Sequence, residues 1–140
     1  MTNHKPSYTE RNQAFINEIQ SHPNIHGVKK LSRSLWTLHT EEGDKTVYLH
    51  YYKWFKENGG RPGYFQASWN QTQNAARPLF HVFLGPSEDS VRIVPNEVLM
   101  GDRFTLIRDH DDGKKWRLNV NTGQNNIILD EFDDRGILFE

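Results

Sequence analysis

Tyr64-Phe65-Gln66-Ala67-Ser68-Trp69 is the stretch from which the architecture is read. It is rich in aromatics and reads as a core strand. Before it lies Asn58-Gly59-Gly60-Arg61-Pro62-Gly63, a loop by composition. After it, Gln71 to Ala76 reads as a short helix or a loop, ended by Pro78.

Further toward the N-terminus the pattern is still a period of two. Val47, Leu49 and Tyr51 alternate against Tyr48, His50 and Tyr52. Leu35-Trp36-Thr37-Leu38 alternates as well and stops at the turn signal Glu42-Gly43-Asp44, so the two runs predict a hairpin. The period then changes. Phe15, Ile16 and Ile19 share one helical face behind the capping box Ser7-Tyr8-Thr9-Glu10. His22-Pro23 ends that segment, which predicts a helix from about Tyr8 to Ser21.

Toward the C-terminus, Leu79 to Leu84 and Val91 to Val94 flank Gly85-Pro86-Ser87-Glu88-Asp89 and predict a second hairpin. Pro95 to Leu99 predicts a helical turn with its proline near the start. Phe104 to Ile107 and Trp116 to Val120 flank an Asp-Gly turn and predict a third hairpin. Ile127 to Phe132 reads as a strand or a short helix, and the apolar tail Gly136 to Phe139 is expected to dock on the body. The order predicts an α+β class: an N-terminal helix, a mixed and mainly antiparallel sheet, and a short second helix.

The 140 residues suit one domain spanning 1–140. Aromatics make up 12% and supply bulk for a core, with Trp36, Trp54, Trp69 and Trp116 spread along the chain. Charged residues make up 25% and nearly balance, leaving a net charge of -1. A globally basic nucleic-acid binder is therefore not indicated, although a local patch is compatible with that balance. The absence of cysteine excludes disulfides, thiolate zinc sites, iron–sulfur clusters and a cysteine nucleophile. No apolar signal segment follows Met1, and no apolar run approaches a membrane span. A cytoplasmic protein with no membrane partner is expected.

Phe80-His81-Val82-Phe83-Leu84, a short acidic loop, and then Val91-Arg92-Ile93-Val94-Pro95-Asn96-Glu97-Val98-Leu99 resemble the restriction-endonuclease-like domains of the PD-(D/E)XK type. Many of those domains carry a strand of the form vyivPsevl after such a loop. The preceding order of helix, three-strand meander, helix and strand is similar too, over residues 8 to 100. The resemblance implies a restriction-endonuclease-like core. It also implies a site in which an acid on one strand and a Glu-x-Lys pair on the next bind magnesium and activate water. It maps Asp44 onto the first acid, Gln66 and Ser68 onto the Glu and Lys positions, and Glu18 onto an accessory acid. Gln66 offers a carbonyl oxygen without charge, and Ser68 cannot replace an amine, so the implied site is incomplete.

Lys53, Lys56, Arg61 and Arg77 interleave with Tyr51, Tyr52, Trp54, Phe55, Tyr64 and Trp69. Cations that meet phosphates beside rings that stack on bases would make a nucleic-acid surface, with Trp69 the stacking ring. The competing reading buries the rings and leaves the cations solvated. Lys29, Lys30 and Arg33 extend a basic face or form a solvated loop. Asp130, Glu131, Asp133 and Asp134 form an acidic cluster that suits a basic protein partner or simply an exposed segment. His39, His50 and His81 lie on predicted strands, but their spacing fixes no metal triad, and no metal site is expected. Asp109-His110-Asp111-Asp112 lacks the length and terminal glutamate of a calcium loop and reads as a hairpin turn. Gly59-Gly60-x-x-Gly63 precedes a strand rather than a helix, which argues against a phosphate loop.

Three functional expectations follow. The first is a degenerate, non-catalytic nuclease-like domain that binds DNA or serves as a subunit in nucleic-acid processing or defence. The second is a protein-interaction module, such as an immunity or anti-defence factor. The third is an active nuclease with a displaced site, the only one that requires a cofactor, Mg. A homodimer is compatible with all three.

Overall fold

The structure is a computed structural model that describes residues 8–51, 53–55, 61–84, 91–108, 113–119 and 128–139. Among the described residues nine strands fall into two sheets. The first helix, α1 (Tyr8–Gln20), precedes the large sheet. That sheet holds β1 (Ile25–Lys30), β2 (Leu35–Thr40), β3 (Gly43–Tyr51), β6 (Leu79–Leu84) and β7 (Val91–Pro95), in the order β1-β2-β3-β6-β7. Between β3 and β6 the chain makes β4 (Lys53–Phe55), β5 (Arg61–Ser68) and α2 (Trp69–Asn74). After β7 come α3 (Asn96–Leu99), β8 (Leu106–Arg108) and β9 (Lys115–Asn119), and a 3-10 helix closes the chain at Arg135–Leu138. The small sheet has the order β4-β5-β9-β8.

The class is α+β. The large sheet is mixed, because β3 pairs parallel with β6 while its other neighbours run antiparallel. A parallel pair cannot be joined by a tight turn, so a crossover is required. Here β4, β5 and α2 make it.

Strand alternation divides the large sheet into two faces. Val47 and Leu49, Phe80, Val82 and Leu84, and Val91 and Ile93 pack against Phe15, Ile16 and Ile19 of α1. Leu35, Tyr48, Leu79, Phe83 and Val94 pack against Phe65, Ala67, Trp116 and Leu118 of the small sheet. With apolar layers on both sides, β6 is buried at all six positions.

The hairpins predicted from the sequence form as β2–β3, β6–β7 and β8–β9. The first turn is tighter than expected. Thr40 pairs with Gly43, so Glu41 and Glu42 make the turn, and Gly43 opens β3 at a φ of +120° that disfavours side chains. The stretch around Lys29 and Lys30 is strand β1 rather than loop, with a register shift at Ile25/Gly27 that its sequence does not signal. β5 begins at Arg61, inside the segment assigned to a loop, and ends at Ser68; Trp69 belongs to α2. Residues 128–130 are helical. The tail docks as expected, with Leu138 fully buried in the core beneath α1. The loops at 56–60, 85–90 and 109–112 lie outside the described residues.

Candidate functional site

Between the two sheets lies a polar layer. In the parallel β3–β6 register Tyr48 stands opposite His81 and His50 opposite Phe83, so all four share the face toward the small sheet. His50 Nε2 lies 2.8 Å from His81 Nδ1, and His81 Nε2 lies 2.8 Å from Asn96 Oδ1 at the start of α3. An amide oxygen only accepts, so His81 carries its proton on Nε2, and His50 donates from its own Nε2 to His81 Nδ1. The pair stacks at 5.1 Å between centroids and meets the edge of Trp116. Trp116 Nε1 donates to Thr72 Oγ1 at 2.9 Å, and the Tyr48 hydroxyl donates to Gln71 Oε1 at 3.0 Å.

Burial, and then the neighbouring His81, hold the His50 pKa well below the ordinary imidazole value. Burial also lowers His81, to about 4; the Asn96 hydrogen bond opposes this and the Arg77 charge adds to it. Both rings are neutral and sealed from water. The layer joins the two sheets through these side chains. His39 stands apart from them, bonded at 2.8 Å to Asp44 on the exposed β2–β3 end. Among the described residues no group of three or more His, Cys, Asp or Glu gathers to hold a metal ion.

The positions mapped by the nuclease resemblance are not brought together on neighbouring strands. Asp44 lies in β3 of the large sheet, whereas Gln66 and Ser68 lie in β5 of the small one. Asp44 accepts from His39, and Ser68 caps α2 by accepting from the Gln71 amide at 3.2 Å. Glu18 pairs with Arg135 at 3.2 Å and lines a cleft of about 250 Å³ with Arg11, Ala14, Phe15, Leu84 and Val91.

The acidic cluster has internal duties. Asp130 pairs with Arg92 at 3.1 Å, Glu131 binds Arg103, and Asp134 accepts from the Gly136 amide at 2.8 Å. Phe132 accepts a strand-like bond from Ile93 at 2.8 Å and packs against Phe104. These contacts strap the C-terminal segment over the edge of β7. Asp133 is exposed.

The basic–aromatic stretch is redistributed. Arg77 turns back to donate to the carbonyls of Thr72 and Ala75, at 3.0 and 2.7 Å, and closes the end of α2. Lys56 lies outside the described residues, and only the backbone of Lys53 and Arg61 is described. That backbone belongs to the small sheet. The strands of this sheet carry five cations, Lys53, Arg61, Arg108, Lys115 and Arg117, and no acid. In register, Gln66 stands opposite Arg117 and Ser68 opposite Lys115, while Phe65, Ala67, Trp116 and Leu118 between them form the inner face. Lys115 is exposed and Arg117 half-buried on the outer face. On the inner side of the sheet Arg108 stands opposite Trp116, and its exposed guanidinium lies 3.8 Å from the centre of the half-buried Trp69 ring, which packs against the inner core. Arg108 Nε is held by the Gly113 carbonyl at 3.0 Å, and Trp69 N donates to the Lys114 carbonyl at 2.7 Å.

The sequence reading found Trp69 but missed Arg108, Lys115 and Arg117. They lie far along the chain and join β5 only through the β5–β9 pairing. An alternation signal in Trp116-Arg117-Leu118-Asn119 was available, because it marks Arg117 as outward if Trp116 is core. No family model matches the chain, no curated protein is significantly similar to it, and no solved structure matches it significantly.

Proposed function

We propose that this chain is a non-catalytic domain that binds DNA through the outer face of its small sheet, as a binding subunit of a nucleic-acid-processing or defence assembly. The carrying observation is the charge of that face, where Lys115 and Arg117 stand on a sheet whose strands hold no acid, in a chain whose net charge is -1. A patch of one sign on a near-neutral protein concentrates the potential where phosphates can meet it. The two buried histidines offer no accessible base, and the acids at 130, 131 and 134 are engaged within the chain, which favours this reading over cleavage and over an acidic protein-docking face.

The test is DNA binding at two salt concentrations, with and without magnesium, resolved on a gel. Binding is expected to weaken steeply with salt, with a log–log slope of about 0.9 per phosphate engaged. Lys115→Glu together with Arg117→Glu is expected to abolish it. Binding that ignores salt, or that survives this double reversal in a folded protein, would overturn the proposal. Magnesium-dependent cleavage would overturn its non-catalytic part.

A further inference from the structure

We infer that the cleft between α1 and the β6–β7 pair binds a small ω-amino carboxylate, a short hydrocarbon chain with a carboxylate at one end and an ammonium at the other. The cleft lies on the α1 side of the large sheet, where Leu84 and Val91 belong to the α1 core, so the inference is independent of the nucleic-acid reading. Its volume of about 250 Å³ falls just below the range of about 300–1,000 Å³ that takes drug-sized ligands. That size suits a ligand of a few heavy atoms.

The lining carries opposite charges at its two ends. Arg11, Ala14, Phe15 and Glu18 occupy the i, i+3, i+4 and i+7 positions of one helical ridge. At a rise of about 1.5 Å per residue, Arg11 and Glu18 are about 10 Å apart along the axis. Between them Ala14 and Phe15 on the helix, with the cross-strand pair Leu84 and Val91 on the sheet, make an apolar floor. The two charges differ in setting. Arg11 is only 4% exposed, yet it lines the cleft, and a guanidinium stays charged. Its five donors form a planar fork that matches both oxygens of a carboxylate. Glu18 is exposed; one of its oxygens meets Arg135 Nε at 3.2 Å, and the other can accept from an ammonium. A wholly apolar ligand would strip water from Arg11 without replacing it, and a dicarboxylate would bring a second negative charge against Glu18. A few methylenes, with a hydrogen bond of about 3 Å at each end, bridge the two charges. Burial ranks the two contacts: the carboxylate on Arg11 contributes more than the ammonium on Glu18, which water screens.

The experiment is titration of the full chain with 5-aminopentanoate, pentanoate and pentylamine, followed by amide chemical shifts in nuclear magnetic resonance. The variants are Ala14→Leu, which fills the cleft from an exposed helix position, and Glu18→Gln; their amide spectra also check that each folds. The expected result is that 5-aminopentanoate shifts the amides of Phe15, Leu84 and Val91 with millimolar affinity, the scale for so small a ligand. Pentylamine, which lacks the carboxylate, is expected to bind about tenfold more weakly or worse. Pentanoate, which lacks the ammonium, is expected to lose up to about fivefold. Ala14→Leu is expected to weaken 5-aminopentanoate by about tenfold or more, and Glu18→Gln to erase its advantage over pentanoate. No shift of these amides with any of the three compounds would overturn the inference. So would pentylamine binding as tightly as 5-aminopentanoate, or unchanged affinity in Ala14→Leu. An advantage over pentanoate that survives in Glu18→Gln would overturn the assignment of the ammonium end.

Discussion

Strand β9 serves two regions with opposite demands, and the contrast separates stability from binding. Trp116 and Leu118 point into the layer between the sheets and are fully buried, while Lys115 stands exposed on the other side. The inner region is tightly determined. Buried rings and hydrogen bonds fill it, so a change in volume or polarity has little room to relax. The outer region is defined by charge, whose loss the fold tolerates but the proposed binding to DNA does not. Neighbouring positions on one strand can therefore be changed to damage one property and spare the other.

The largest effect is expected where the contrast is sharpest. Trp116→Ala removes a fully buried indole and the Nε1 donor that the Thr72 hydroxyl accepts from at 2.9 Å, leaving that hydroxyl only its bond to the Ser68 carbonyl. The lost volume is expected to cost about 3–5 kcal/mol in urea-induced unfolding. Lys115→Ala, one residue away, is expected to change stability by less than about 0.5 kcal/mol while weakening binding to DNA. Similar stability losses for the two variants would erase the distinction between the faces.

Acid should probe the inner region alone. The fold depresses the pKa of both buried histidines, His81 to about 4, against about 6.5 for an unfolded chain. The unfolded state therefore takes up protons first as pH falls. Stability from these groups is fully present above about pH 6.5 and declines below it, by about 1.4 kcal/mol per pH unit for each histidine while the folded ring stays neutral. Carboxylates titrate in part of the same range, so the informative quantity is a difference. His50→Gln with His81→Gln should flatten the decline between pH 6.5 and about 4. His39→Gln, at the exposed pair with Asp44, should leave it in place. Identical acid profiles for wild type and the buried double variant would mean that the histidines do not set this limb.

How much of this was legible follows from the range of each signal. The helix α1, three hairpins and the docking tail rest on local periodicity and punctuation, and they formed where the residues indicated. Strand β1 was missed because Ile25-His26-Gly27-Val28-Lys29-Lys30 has no clean alternation; its burial is confined to one end, and the bulge shifts its register. Gln66 and Ser68 lie on a different sheet from Asp44 for a different reason. Their strand was read correctly, but which sheet it joins depends on pairing with β9 some fifty positions later. The same pairing assembles Arg117 opposite Gln66 and so builds the candidate surface. The His50–His81 bond likewise depends on the parallel β3–β6 register, which no local pattern encodes.

The smallest effect is expected at the C-terminal strap, where burial and charge also sit side by side. Leu129 and Leu138 are buried, whereas Asp130 and Glu131 reach outward to Arg92 and Arg103. Exposed ion pairs contribute only about 0–1 kcal/mol, so the apolar residues should hold the strap and the acids should only align it. Its opening can be read at one proton. The Ile93 amide faces the outer edge of β7 and donates to the Phe132 carbonyl at 2.8 Å, so hydrogen exchange there reports release of the strap. Asp130→Asn with Glu131→Gln should speed that exchange by less than about thirtyfold, because two such pairs together are worth no more than about 2 kcal/mol. Leu138→Ala, which empties a fully buried site, should lower global stability by about 2–5 kcal/mol. If neutralising the acids instead frees Ile93 as fully as unfolding does, charge rather than burial secures the edge. Those acids would then be structural residues that cannot be spared for any outside partner.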